Sequence, residues 1–351
     1  MLWSCTLELY AVKVSNDGNV AVVSFKNNTD NSYRIAYWKN AKNLSGVPEP
    51  TWVSENLRGT VGREVFDVSA YGNTVIATSY VPGIGRRIYL WRNALSKAGY
   101  DVSVDWMGIV SPYIRKVLLS NDGSKALAIE DRGSFFIVHY LSGLGSSEPS
   151  MQPLVTFEDS DFSGTEMSNS GEYFAVAYLN NSISSFELAY YRIETLLWKY
   201  NVATSAGRYS MYGVDVSADG STVVILIADE NGFKAYFVKN AKDEAGSISP
   251  DVEIELAGSA EEILVSISDS GDVAIVSNEN TVYAITSNGE LLWSYTLPFL
   301  GERVSDIRIS GNGRFAAVGA EQALGTLYYF KVLERTREAI AKSPYMVNGK
   351  L

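Results

Sequence analysis

The chain has 351 residues, 46% hydrophobic and 12% aromatic, with 40 acidic against 29 basic side chains and a formal net charge of −11 at pH 7. That apolar content excludes an intrinsically disordered chain, and the acidic balance excludes the concentrated basic surface that nucleic acid or an anionic membrane requires. One cysteine, Cys5, excludes an internal disulfide, and no uncharged apolar stretch is long enough for a membrane-spanning helix.

The start, Met1-Leu2-Trp3-Ser4-Cys5, lacks the basic and apolar regions of a secretory signal. A cytoplasmic protein is therefore the first expectation. The alternative is an exported protein whose leader or anchor is missing from this chain, which the acceptor triplets at Asn27, Asn43 and Asn180 would suit. Residues 2–7 read as one short strand. Residues 10–15 (Tyr-Ala-Val-Lys-Val-Ser) alternate as an inner strand, and Asn16-Asp17-Gly18 supplies a tight turn, because Gly accepts positive φ and Asp or Asn holds turns through its side chain. Residues 20–25 are nearly all apolar, as expected of a strand buried on both faces. A third strand over 33–38 and a fourth starting at 51–53 complete the unit.

That unit recurs. An apolar run ends in Ser, followed by two spacer residues, Gly and a second apolar run, with the serines at Ser15, Ser69, Ser120, Ser168, Ser217, Ser268 and Ser310 and hence intervals of 54, 51, 48, 49, 51 and 42 residues. Short strands repeating at this period predict propeller blades, and units of this size cannot bury their faces singly. The expectation is an all-β, seven-bladed β-propeller of four-stranded blades, with blades near 8–56, 57–107, 108–157, 158–202, 203–257, 258–297 and 298–333. Within the repeat, Asn40-Ala41 with Gly46, Asn93-Ala94 with Gly99, and Asn240-Ala241 with Gly246 predict one helical turn between third and fourth strands, Asn serving as N-cap. The last blade has strands expected at 303–309, 314–319 and 326–332 but no fourth. Residues 2–7 match the outer strands Leu196-Leu197-Trp198-Lys199-Tyr200 and Leu291-Leu292-Trp293-Ser294-Tyr295, so they are expected to complete blade 7 and leave no sheet edge open. Residues 334–351 leave the repeat as a tail with a short helix over Glu334–Lys342, stopped by Pro344.

The stretch Val282–Leu297, in which a Gly turn precedes an apolar pair, Trp, a small residue and an aromatic, resembles the repeat of quinoprotein-like (PQQ-like) propellers. The Ser-x-Asp-Gly turns at Ser15 and Ser217 are similar to those between the first two strands of WD40-like blades. The resemblance spans residues 1–333 and implies a propeller that acts as a binding platform. It implies no quinone chemistry, and no cofactor is expected.

The single histidine, His139, lies in the apolar strand Phe135–Leu141; one imidazole builds neither a multi-histidine metal site nor, without a nucleophile-elbow motif, a hydrolytic triad. Asp159, Asp161 and Ser163, with Gly164, match the opening of a calcium loop, but Ser170 stands where a bidentate Glu is needed, so a polar connection between blades is the first reading and a calcium clip the second. The residue two before each turn serine is expected to line the central channel: Lys13, Asp67, Leu118, Glu166, Asp215, Ser266 and Arg308. Loops on one face are expected to present Arg58, Arg63, Tyr80, Arg86, Arg87, Tyr113, Asp131, Arg132 and Tyr209, residue types favoured at protein interfaces.

The expected function is a non-catalytic scaffold that binds a protein partner through this loop face, with no nucleic acid and no membrane insertion. The alternatives are a small-molecule- or calcium-binding sensor or enzyme using the channel mouth, and a cell-envelope component. Deleting Met1–Leu7 is expected to lower the thermal midpoint in one cooperative transition; an unchanged midpoint would remove the closing role of that segment.

Overall fold

Of the chain, the computed structural model describes residues 8–27, 29–45, 48–57, 66–81, 85–110, 113–202, 210–229, 232–257, 263–278, 280–298, 303–321 and 326–332. The expected closing strand 2–7 and the C-terminal helix over 334–342 lie outside them. The chain divides into two compact units, Met1–Glu158 and Asp159–Leu351.

The first unit holds three antiparallel sheets in chain order. Sheet 1 comprises β1 (Glu8–Val14), β2 (Val20–Asn27), β3 (Ser32–Lys39) and β4 (Trp52–Ser54). Sheet 2 comprises β5 (Phe66–Val68), β6 (Val75–Val81), β7 (Gly85–Trp91) and, after a short β8 (Gly99–Val102), β9 (Trp106–Val110). Sheet 3 comprises β10 (Ile114–Leu119), β11 (Ala126–Asp131), β12 (Phe135–Ser142) and β13 (Ser150–Glu158).

The second unit holds four sheets. They are β14 (Ser160–Met167), β15 (Tyr173–Asn180), β16 (Ser185–Arg192) and β17 (Thr195–Val202); β18 (Ser210–Val216), β19 (Thr222–Asp229), β20 (Gly232–Lys239) and, after β21 (Gly246–Ser247), β22 (Val252–Leu256); β23 (Ile263–Ile267), β24 (Val273–Asn278), β25 (Thr281–Thr286) and β26 (Leu291–Thr296); and β27 (Arg303–Ile309), β28 (Phe315–Glu321) and β29 (Thr326–Lys331). The last sheet has three strands among the described residues, where the sequence leaves a fourth place.

Each recurrent turn is built the same way. The serine Oγ accepts the N–H five residues on, at 2.9 to 3.2 Å in all seven, and the glycine N–H donates to the serine carbonyl at 2.8 to 3.0 Å. The glycines need their lack of a side chain, since their φ lies between 67° and 76°. Successive turns are also tied together. In the first unit Asn16 N–H donates to the Ala70 carbonyl and Ala70 N–H to that of Asn121, both at 2.9 Å. In the second, Asn169 donates to Ala218 (2.9 Å), Ala218 to Asp269 (3.1 Å) and Asp269 to Gly311 (2.9 Å). A backbone N–H that leaves its own sheet thus finds an acceptor in the next one.

The turns between third and fourth strands are single 3-10 turns at Ala41–Asn43, Ala94–Ser96 and Ala241–Asp243, but the expected side-chain N-cap is not made. Asn40, Asn93 and Asn240 instead sit in the left-handed region at φ 57°, 48° and 49°, which Asn tolerates better than other side chains, and this is what the asparagine supplies. The first N–H of each turn goes to a backbone carbonyl, of Asn19, Asn73 or Ser221, at 2.8 to 2.9 Å. Indoles of the preceding sheets reach the same turns: Trp52 Nε1 donates to the Ala94 carbonyl (3.0 Å) and Trp198 Nε1 to that of Ala241 (2.6 Å). Beyond two of these turns the chain pairs in parallel with the outer edge of the preceding sheet, β8 on β4 and β21 on β17, so sheets 1 and 4 gain a fifth strand.

Between sheets, side chains of the nearly continuous apolar second strands interdigitate with aromatics from the outer ones. Val20, Val22, Tyr37, Trp52, Phe66, Val75 and Trp91 form one buried cluster across sheets 1 and 2. Trp52 stacks on Tyr37 at 4.9 Å, as Trp198 does on Tyr190 at 5.0 Å in the second unit. Each such side chain contributes roughly 1.5–3 kcal/mol by burial.

Alanine at Gly271 separates local strain from close packing. A Cβ there would lie 2.6 Å from Thr222 Cβ, whereas at Gly18 it would meet nothing within 4 Å. Gly18→Ala is expected to cost about 1–2 kcal/mol from positive φ alone, and Gly271→Ala about 1–3 kcal/mol more from overlap, read by urea unfolding. Equal losses would show that the turns are not in tight contact.

Candidate functional site

Two groups of predicted residues stand out, and the first lies where sheets 2 and 3 of the first unit meet. Tyr80, at the end of β6, is the cross-strand partner of Arg86 at the start of β7. Arg115, near the start of β10, acts electrostatically on Arg86 and holds Asp131 at 2.8 Å. The Asp131 N–H donates to the Tyr113 carbonyl at 2.8 Å, and its free carboxylate oxygen accepts the Gly133 N–H at 2.8 Å. Arg132 follows in the same β11–β12 turn, over the Phe135 ring at 5.9 Å and paired through Nε with Glu130. Tyr80 and Tyr113 are 39% and 57% exposed, so two phenols and three guanidiniums share one end of two neighbouring sheets.

Arg86 differs from the other two arginines. It is half-buried, its Nε is shielded from solvent, and its side chain makes no hydrogen bond or ion pair among the described residues. Burial holds its pKa below the usual guanidinium range, the Arg115 charge lowers it further, and Tyr80 acts in the opposite direction. Arg87 alternates to the other face of β7, where Nη1 lies 3.8 Å from Met107 Sδ. Arg58, Arg63 and Tyr209 lie outside the described residues.

The second group is the row of residues two before each turn serine. In the first unit Lys13 Nζ stands 3.6 Å from Asp67 Oδ1, and Asp67 Oδ2 accepts the Leu119 N–H of the next sheet at 2.9 Å, beside the buried Leu118. In the second, Asp215 Oδ1 takes its own neighbour's N–H, from Val216, and Oδ2 takes that of Ile267 in the next sheet, both at 2.8 Å. Ser266 repeats the bridge, its Oγ accepting the Ile309 N–H at 3.2 Å. These side chains therefore bond to the adjacent sheet's backbone, a role that alternation along one strand does not reveal. Burial first, and the Glu166 carboxylate second, push the Asp215 carboxyl up to about 7, against the two N–H donors and the more exposed Arg308.

His139 is buried on β12, with Nε2 2.7 Å from Oε2 of the buried Glu130. Glu130 thereby joins His139 to Arg132, a grouping the sequence conceals because the pair Ala128↔His139 sets the register. Asp159, Asp161 and Ser163 do not curl into a loop. Asp161 and Ser163 belong to β14, Asp161 opposite Leu179, while Asp159 Oδ2 accepts the Ser182 hydroxyl at 2.7 Å. Among the described residues no three His, Cys, Asp or Glu side chains stand close enough to hold a metal ion, and no helix is long and apolar enough to cross a membrane.

No protein-family profile matches this chain, and neither does any curated protein. Solved structures do. The chain is similar to the β-propeller domain of Cps50 (Swd1) from Myceliophteria thermophila, with a TM-score of 0.59 at 12% identity over 93% of this chain and 98% of that one. It is similar to Sqt1 from Chaetomium thermophilum, with a TM-score of 0.66 at 11% identity over 97% and 86%. A KlHsv2 variant with loop 6CD replaced by a Gly-Ser linker gives 0.61 at 12% identity over 93% of each chain. At these identities the likeness shows the fold alone, a β-propeller whose blades are the seven sheets, and it does not bear out the quinoprotein-like resemblance.

The raised Asp215 carboxyl has a consequence for stability. Between pH 4 and 7 the folded chain keeps a proton there that the unfolded chain releases, so stability falls as pH rises through that window and levels off above it. Asp215→Asn is expected to flatten the fall, a difference on the order of 1–4 kcal/mol between pH 4.5 and 8 in urea unfolding. Parallel curves for both proteins would show that Asp215 is ionised throughout.

Proposed function

We propose that the protein is a non-catalytic propeller that binds a protein partner through the end of sheets 2 and 3, where Tyr80, Arg86, Tyr113, Arg115 and Arg132 gather. The observation that carries this reading is Arg86, a half-buried cation with no partner of its own among the described residues, between a phenol and a second guanidinium. Burying a charge without a counter-charge is costly, and an intermolecular anion would remove that cost. Tyr and Arg are also the residue types that concentrate binding energy at protein interfaces. Structural similarity to propellers such as the Cps50 (Swd1) domain and Sqt1 supports a platform of this kind.

The channel reading draws less support. Asp67 and Asp215 spend carboxylate oxygens on the next sheet's backbone, which suits blade alignment better than ligand capture. The calcium reading loses its loop, because Asp161 and Ser163 are strand residues.

Affinity purification at physiological salt, compared by quantitative mass spectrometry, tests the platform. Arg86→Glu and the double variant Tyr80→Ala/Tyr113→Ala are each expected to cut one co-purifying protein by about tenfold or more, as interface anchors do, while Arg192→Glu in the second unit leaves it unchanged. Full retention in both site variants would move the interface elsewhere.

A further inference from the structure

We propose that Arg86 is the receptor for a single carboxylate on a peptide segment of the partner, with Arg115 adding long-range attraction and Tyr80 covering the bound group. The proposal rests on the interaction surface described above and assigns its chemistry.

Several other arginines of this chain find carboxylates within it. Arg34 is shared between Asp30 at 3.0 Å and Asp101 at 2.5 Å, Arg115 takes Asp131, and Arg132 takes Glu130. In a chain with 40 carboxylates for 29 basic side chains, counter-ions are plentiful, yet Arg86 has none among the described residues. Its Nε is already out of water, so part of the desolvation that a guanidinium undergoes on binding has been met by folding. The planar fork that remains matches a carboxylate in two-point geometry.

The same surroundings select a monoanion over a phosphate. Arg115 is committed through its Nε to Asp131, and that carboxylate belongs to the cluster, where it would repel a dianion more strongly than a single negative charge. Among the described residues only one guanidinium of the group is uncommitted, whereas tight phosphate capture draws on several donors. Tyr80, directly opposite Arg86 across the β6–β7 pair and 39% exposed, brings an aromatic surface and a hydroxyl to the same spot. The overall charge of −11 opposes long acidic tracts, which points to an isolated Asp or Glu, or a chain-terminal carboxylate, flanked by uncharged residues.

The test uses the full chain and a displayed library of random dodecapeptides, with selected sequences remade as fluorescein-labelled peptides for anisotropy. The expected result is a fixed Asp, Glu or free C-terminal carboxylate in the selected peptides. Arg86→Gln should weaken binding about tenfold or more, as loss of one member of a desolvated charge pair does, and Arg86→Lys should weaken it less. Arg192→Gln should stay within about twofold of the parent, and thermal midpoints confirm that the variants fold. Replacing the selected acid by its amide should reproduce the Arg86→Gln loss without an additional effect in the variant. Peptides with no fixed acid that are lost on Tyr80→Ala would keep the surface and overturn the carboxylate. Peptides indifferent to both Arg86 and Tyr80 would overturn the surface as well. Phosphoserine peptides that bind more tightly than the selected acids would replace the carboxylate with phosphate.

Discussion

Each blade of this protein turns on one buried or half-buried hydrogen bond, from the N–H at the opening of a second strand to the Oγ of a serine five residues earlier. That donor sits among apolar side chains, where leaving it unpaired costs about 1–3 kcal/mol. The serine satisfies it while its own carbonyl receives the glycine N–H. The geometry that results places the residue after the serine so that its N–H points out of the sheet at the carbonyl of the next turn. Spacing between sheets is thus set by backbone hydrogen bonds, and the apolar second strands are held at the distance where their side chains interdigitate.

The residues of the proposed interface depend on the same spacing. Arg86 belongs to sheet 2 and Arg115 to sheet 3; neither strand alone would bring two guanidiniums near one another. Because the turns align the sheets, the starts of β7 and β10 come to one end, and like charges are held together there, Arg115 neutralised by Asp131 and Arg86 without an ion pair among the described residues. Folding energy from the core sustains that arrangement, which is how a binding surface acquires an unsatisfied charge. The inner-strand carboxylates show the complementary case. Asp67 and Asp215 point their oxygens at N–H groups of the next sheet and serve alignment, although as bare sequence positions they resemble ligand groups.

Small departures from the repeat show where the physics differs from a pattern. The asparagines before the 3-10 turns were expected to cap with their side chains, and they are used for their tolerance of positive φ. Both roles favour the same residue type, so composition alone does not separate them. The strands β8 and β21 begin at glycines with φ 91° and 81° and pair in parallel with the preceding sheet. They are two to four residues long, too short to register as a hydrophobic period, and their existence depends on an edge supplied by residues 47 or 48 positions earlier.

The sequence by itself determined the class and the count: seven Ser-x-x-Gly turns between apolar runs, at a nearly constant interval, specify short antiparallel strands in seven units. This information is local, because turn chemistry and strand alternation act over a few residues. Blade strands over 20–25, 33–38 and 303–309 were legible to within a residue or two for that reason. Only the tertiary structure decided that Glu130 bridges His139 and Arg132, that Asp215 is crowded by Glu166, and that Arg86 lies beside Arg115 without a carboxylate of its own among the described residues. Those relations join residues up to about 50 positions apart in different strands. They depend on the register and separation of sheets, which the periodicity of any one strand does not contain.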